Sequence, residues 1–111
     1  MNNQYVKQAS GAWFKMSLVE QLANIGSEVF RALNWKNKGN QEYSKMAFER
    51  ALELFDLTLA DQKNKERLKE VVKARELLVD TFDKNVYQSS DKQWQKYFLE
   101  FNYAAQNLKG L

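Results

Sequence analysis

Glu49, Glu53 and Asp56 follow one another at spacings of four and three residues, which sets three carboxylates along one side of a helix. Such a row can divide acid and base roles, or hold magnesium through oxygen ligands. On a helical wheel it lies opposite a wide apolar stripe, so a solvated face is its expected role. Stronger chemistry is excluded by composition, because the 111 residues contain no His and no Cys. That removes thiolate nucleophiles, disulfides, the common zinc sites, imidazole catalysis and every Ser-His-Asp triad. It also removes the Glu-x-x-His pairs of di-iron bundles. The four Gly form no phosphate-cradling motif. The chain therefore reads as non-enzymatic, with no catalytic residue, no metal and no cofactor expected.

Two other kinds of residue stand out. Arg75 falls near the centre of an apolar helix face, between Val71, Val72, Leu78 and Val79. A buried guanidinium must be paired. The candidates are Glu28, Asp56 and Glu100, and the readings are an internal ion pair, a contact at an oligomer interface, or a phosphate or carboxylate ligand. The aromatics (three Trp, five Tyr, seven Phe) mostly fall on core stripes. Trp13, Phe14 and Tyr103 fall off the stripes, as does Trp35 beside Lys36 and Lys38. Trp35 suits packing under a loop, an interface anchor, or stacking on a base.

The elements that must position these residues follow from apolar spacing uninterrupted by any Pro. Ser17-Leu18-Val19-Glu20 is a capping box opening a first helix over 17–37, with Leu18, Leu22, Ile25, Val29 and Leu33 on one face. Gly39 suits the left-handed stop. Asn40 caps a second helix over 41–60, whose broad apolar set includes Tyr43, Ala47, Phe48, Ala51, Leu52, Phe55 and Leu59. After a break at residues 61–64, a third helix is expected over 65–83. Ser90-Asp91-Lys92-Gln93 is a second capping box, opening a fourth helix over 91–108 with Trp94, Tyr97, Phe98, Phe101, Ala105 and Leu108 buried and Gly110 as its stop. The expected fold is all-α: an up-down antiparallel four-helix bundle over 17–111, preceded by a short, partly ordered N-terminal extension over 1–16, interrupted at Ser10-Gly11 and docked through Trp13 and Phe14.

The stretch from Lys38-Gly39-Asn40 through Phe48-Glu49-Arg50-Ala51-Leu52-Glu53-Leu54-Phe55 resembles the middle of a tetratricopeptide repeat. The turn of that family is missing, since Met46-Ala47 continues helical, and no second copy follows. The likeness is one of helix composition. The whole-chain layout is similar to small four-helix proteins of the HEPN and ribosomal-intervening-sequence type. Many HEPN members are RNases using an Arg–His motif, and a chain without His does not inherit that activity. The intervening-sequence group includes accessory proteins that accompany reverse transcriptases through basic oligomeric surfaces, and what the resemblance implies for this chain is the fold alone.

The leading expectation is an interaction module that associates with itself or another protein through Trp35, Arg75, Phe48, Leu52 and Leu59. The alternative is a nucleic-acid accessory protein contacting phosphates through Lys36, Lys38, Lys63, Lys65, Arg67, Lys69 and Lys73. Seventeen basic against fourteen acidic residues leave a net charge of only +3, with the signs interleaved. The opening Met1-Asn2-Asn3-Gln4-Tyr5 lacks the apolar run of a signal peptide, and no stretch approaches the ~20 apolar residues of a membrane span. The expected compartment is the cytoplasm, with no membrane partner.

Overall fold

A computed structural model describes residues 11–109, with side chains through residue 107. The expectations that fall on residues 1–10, on the Leu108 side chain and on Gly110 lie outside the described residues. The chain is all-helical, with no strand among the described residues. Among the described residues four long helices carry it, α1 Leu18–Asn37, α2 Gln41–Ala60, α3 Leu68–Phe82 and α4 Asp91–Lys109, preceded by helical residues 11–14. None is long and apolar enough to cross a membrane.

The helix starts are set by side chains that satisfy orphan backbone donors. Ser17 Oγ accepts the Glu20 amide at 3.2 Å, and the Glu20 carboxylate accepts the Ser17 amide at 3.3 Å. Asn40 accepts the Tyr43 amide at 3.0 Å. Ser90 and Gln93 exchange the same pair of bonds at 3.1 and 2.8 Å. Between α1 and α2, Gly39 turns the chain at φ +80°, where an L side chain would be strained.

The third helix begins later than the periodicity predicts. Gln62–Arg67 is a 3-10 segment, and α3 starts only at Leu68. The reason is polar. Asp61 accepts the Lys63 amide at 3.2 Å, and Asn64 turns inward to donate to Gln21 Oε1 at 2.8 Å and to the Thr58 carbonyl at 3.0 Å. Those bonds hold the segment in a tighter coil than an α-helix.

α1 is the hub, packed between α2 and α4. Its contacts with α2 run in opposite order along the two helices: Trp35 lies against Tyr43, Ala32 receives the Ser44 hydroxyl, and Glu28 meets Arg50. With α4, Asn37 donates to Asp91 and Phe30 meets Phe98. Here Gly26 permits a close approach, since a Cβ on it would lie 2.8 Å from Phe98 Cβ and Cγ. α3 leans on α2 through Phe48–Phe82 and Asp56–Arg75, again in opposite order. A groove lined by Ala74, Leu77, Trp94 and Tyr97 opens between α3 and α4.

The core gathers Trp13, Leu22, Ile25, Val29, Leu33, Ala51, Phe55, Val71, Leu78, Trp94 and Phe98. One polar device occurs twice in it. The Trp13 indole N–H donates to Thr58 Oγ1 at 3.0 Å, and the Thr58 hydroxyl donates in turn to the Leu54 carbonyl. The Trp94 indole does the same with Thr81, which donates to Leu77. Each threonine thus satisfies a buried indole and its own hydroxyl together.

Candidate interaction surface

The seam between α2 and α3 collects four of the five expected contact residues. On α2, Phe48, Leu52 and Leu59 sit beside the fully buried ridge of Ala47, Ala51, Phe55 and Thr58, half-buried and packed on the core from its edge. Phe48 stacks on Phe82 of α3 with ring centroids 4.7 Å apart, and Lys36 of α1 lies 5.2 Å from the centre of the Phe82 ring. Below that stack, Arg75 Nε donates to Asp56 Oδ1 at 2.9 Å and Nη2 reaches Oδ2 at 3.5 Å. Val72 and Val79 flank Arg75 on α3, each 38% exposed.

This arrangement corrects the wheel reading of α3. The buried face is Val71, Ala74, Leu78 and Thr81, so Val72 and Val79 are turned toward solvent and Arg75 stands at the rim. The side chain of Arg75 is 31% exposed and that of Asp56 59%. The face is rotated because Ala74 and Thr81 belong to it: a small residue that admits a neighbour, and a hydroxyl that receives Trp94. Hydrophobicity alone counts neither strongly. Of the three carboxylates offered for Arg75, Glu28 instead bonds Arg31 and bridges to Arg50, and Glu100 is exposed.

The carboxylate row does not converge. Glu49 lies 4.0 Å from Lys45 and Asp56 holds Arg75. Burial, reinforced by the charges of Glu49 and Asp56, pushes the Glu53 carboxyl above its usual value against the pull of Arg50. Among the described residues no three Asp or Glu side chains meet as metal ligands.

Trp35 lies apart from the seam. It packs edge-on against Tyr43, centroids 4.9 Å apart, with the Lys38 ammonium 5.3 Å from its ring centre. Trp35 and Lys38 therefore brace the α1–α2 turn against each other. The basic residues do not form one surface either. Lys36 and Lys38 stand at the turn end of α1, while Lys63, Lys65, Arg67 and Lys69 stand about a helix length away, ~30 Å for twenty residues. Lys73 is one turn further into α3. Lys63 pairs with Asp61, and Arg67 with Glu70 at 2.7 Å.

Two features escaped the sequence reading. The first is a polar socket holding the turn that precedes α1. Gln21, buried on α1, donates to the Trp13 carbonyl at 3.0 Å and to Asp61 Oδ2 at 2.8 Å, and accepts from Asn64. Lys63 donates to the Phe14 carbonyl at 2.9 Å and to Asp61. Burial alone would push the Asp61 carboxyl up; hydrogen bonds from Lys63 and Gln21, with the Lys63 charge, outweigh it and hold the group below its ordinary value. A lone Gln inside an apolar helix face was the available signal. The second is the loop after α3. The Asp80 carboxylate accepts the Val86 and Tyr87 amides at 2.9 and 3.1 Å, and the Asn85 side chain donates to the Ser89 carbonyl and accepts the Ser89 amide. Asn85 and Gln88 adopt φ of 50° and 54°, and Val86 and Tyr87 point outward, 69% and 75% exposed.

Comparison of the chain with family models, curated proteins and solved structures found no match.

Proposed function

We propose that the protein is a non-enzymatic helical-bundle interaction module that associates with itself through the α2–α3 seam. The opposed registers of α1–α2, α1–α4 and α2–α3 support reading its frame as an up-down antiparallel bundle. The observation that carries the function is the composition of the seam. Val72 and Val79 of α3 stand partly exposed, Phe48, Leu52 and Leu59 of α2 are half-buried at the edge of the core, and one Arg75–Asp56 pair joins the two helices. Apolar side chains around a paired charge are what a contact surface of modest size presents, with Arg favoured where charge is desolvated. Nucleic-acid binding finds less support, because the basic residues are divided between two ends and two of them are already engaged with carboxylates.

The test is a double substitution, Leu52→Ser with Val79→Ser. Both side chains lie at the edge of the core or outside it, so the monomer should fold, while association weakens by about tenfold or more for the apolar surface withdrawn. Sedimentation velocity over a concentration series reads the result. An unchanged association constant contradicts the assignment of this face.

A further inference from the structure

We propose that the groove between α1 and α2 is a docking site for residues 1–10 of the same chain, with Tyr5 and Val6 laid on its apolar floor and Lys7 beside Glu53. The groove encloses about 420 Å³. Leu54 and Leu57 of α2 line it, half-buried and packed on the core from its edge, and Ser27 of α1 borders it. At one end Glu28 bridges the two helices, bonded to Arg31 at 2.9 Å and to Arg50 at 3.5 Å. At the other end stand Ala12 and Trp13.

The occupant follows from where the chain enters. Trp13 is pinned there, its indole on Thr58 and its carbonyl on the Gln21 amide, and Lys63 holds the Phe14 carbonyl. Gly11 and Ala12 are exposed on the rim. Residues 1–10 are therefore tethered at the mouth of the groove. From that mouth to the Glu28 bridge the groove follows α1 from Asn24 to Arg31, about 10 Å at ~1.5 Å per residue. A segment of ten residues reaches ~15 Å as a helix and ~33 Å fully extended, so it spans the groove in either form. Tethering gives it an effective concentration on the order of millimolar, which a separate chain at micromolar concentration does not match.

The chemistry of the segment fits the lining. Its sequence places Tyr5 and Val6 side by side, and Lys7 is its one charged side chain. Within the groove Arg31 and Arg50 share Glu28, whereas Glu53 makes no ion pair among the described residues. A lysine brought there meets an acceptor that the two arginines leave open, while Tyr5 and Val6 withdraw apolar surface from water together with Leu54 and Leu57. On the helical wheel this groove lies across α2 from Phe48, Leu52 and Leu59, so it stands or falls separately from the α2–α3 seam.

Spin labelling of the full chain tests the docking. The protein has no Cys, so a nitroxide on Asn3→Cys is unique. The amide signals of Ser27, Glu53 and Leu57 are expected to lose most of their intensity relative to the reduced label, while those of Val72 and Leu99 keep theirs. No loss at the groove, or loss spread evenly over the surface, overturns the proposal. Adding Tyr5→Ser with Val6→Ser to the labelled chain is expected to restore the groove signals and leave the rest of the spectrum in place. Losses that persist in that variant report the tether alone and overturn the docking. When labelled chain is mixed with isotope-enriched, unlabelled chain, no loss is expected at the enriched groove. A loss there would put the segment of another copy in the groove and overturn docking within one chain.

Discussion

Gln21 is the side chain whose removal should cost the most for its size. Its amide is fully buried and engaged with the Trp13 carbonyl, Asp61 and Asn64, so Gln21→Ala leaves several buried partners unsatisfied at once. With each orphaned group worth ~1–3 kcal/mol, a loss of about 2–4 kcal/mol is expected in urea unfolding. Gln21→Leu should be no milder, because the polar partners remain. Arg75→Ala belongs at the other extreme. Its pair with Asp56 is partly exposed, so the folded monomer should lose no more than ~1 kcal/mol, and its measurable effect should fall on association. Asp61 gives the socket a pH dependence. Its pKa lies below the ordinary value of about 3.9, so it contributes stability that is complete above that value and is lost as pH falls through the depressed pKa. Amide exchange in residues 11–16 should therefore accelerate under acid before α1 does, and Asp61→Asn should remove that pH step while weakening the socket at neutral pH.

At the scale of elements, Gly26 controls the approach of α1 to α4. Gly26→Ala would set a methyl group 2.8 Å from Phe98, whose ring is packed between Trp94, Tyr97 and Phe30 and has little room to yield. The expected loss is about 1–3 kcal/mol by thermal melting, against the small gain in helix propensity that alanine normally brings. The helix starts at Ser17, Asn40 and Ser90 were legible in the sequence because each cap is local chemistry, a side chain serving an amide three residues on. The start of α3 and its buried face were not legible. Both depend on partners far away in the chain: Asn64 on Gln21, and Thr81 on Trp94. The candidate seam was half legible for the same reason. Phe48, Leu52 and Leu59 show in the apolar spacing of α2, whereas the outward turn of Val72 and Val79 becomes visible only once Ala74 and Thr81 are seen to face the core. Nothing in the composition of residues 83–90 announces that Asp80 will organise them.

For the whole molecule, the proposed self-association of this all-helical protein sets how its mass should depend on salt. The seam holds both signs of charge and an apolar centre, so association should survive moderate salt while its charged component weakens. Phosphate-driven binding would behave differently, falling steeply with salt. Light-scattering mass across a gel-filtration peak, with absorbance at 260 and 280 nm and at low and then moderate salt, separates these outcomes in one experiment. Self-association through the seam is expected to give a protein-only peak of twice the chain mass at both salts. A single-chain mass at both, or a peak rich in 260 nm absorbance that loses it as salt rises, would contradict it.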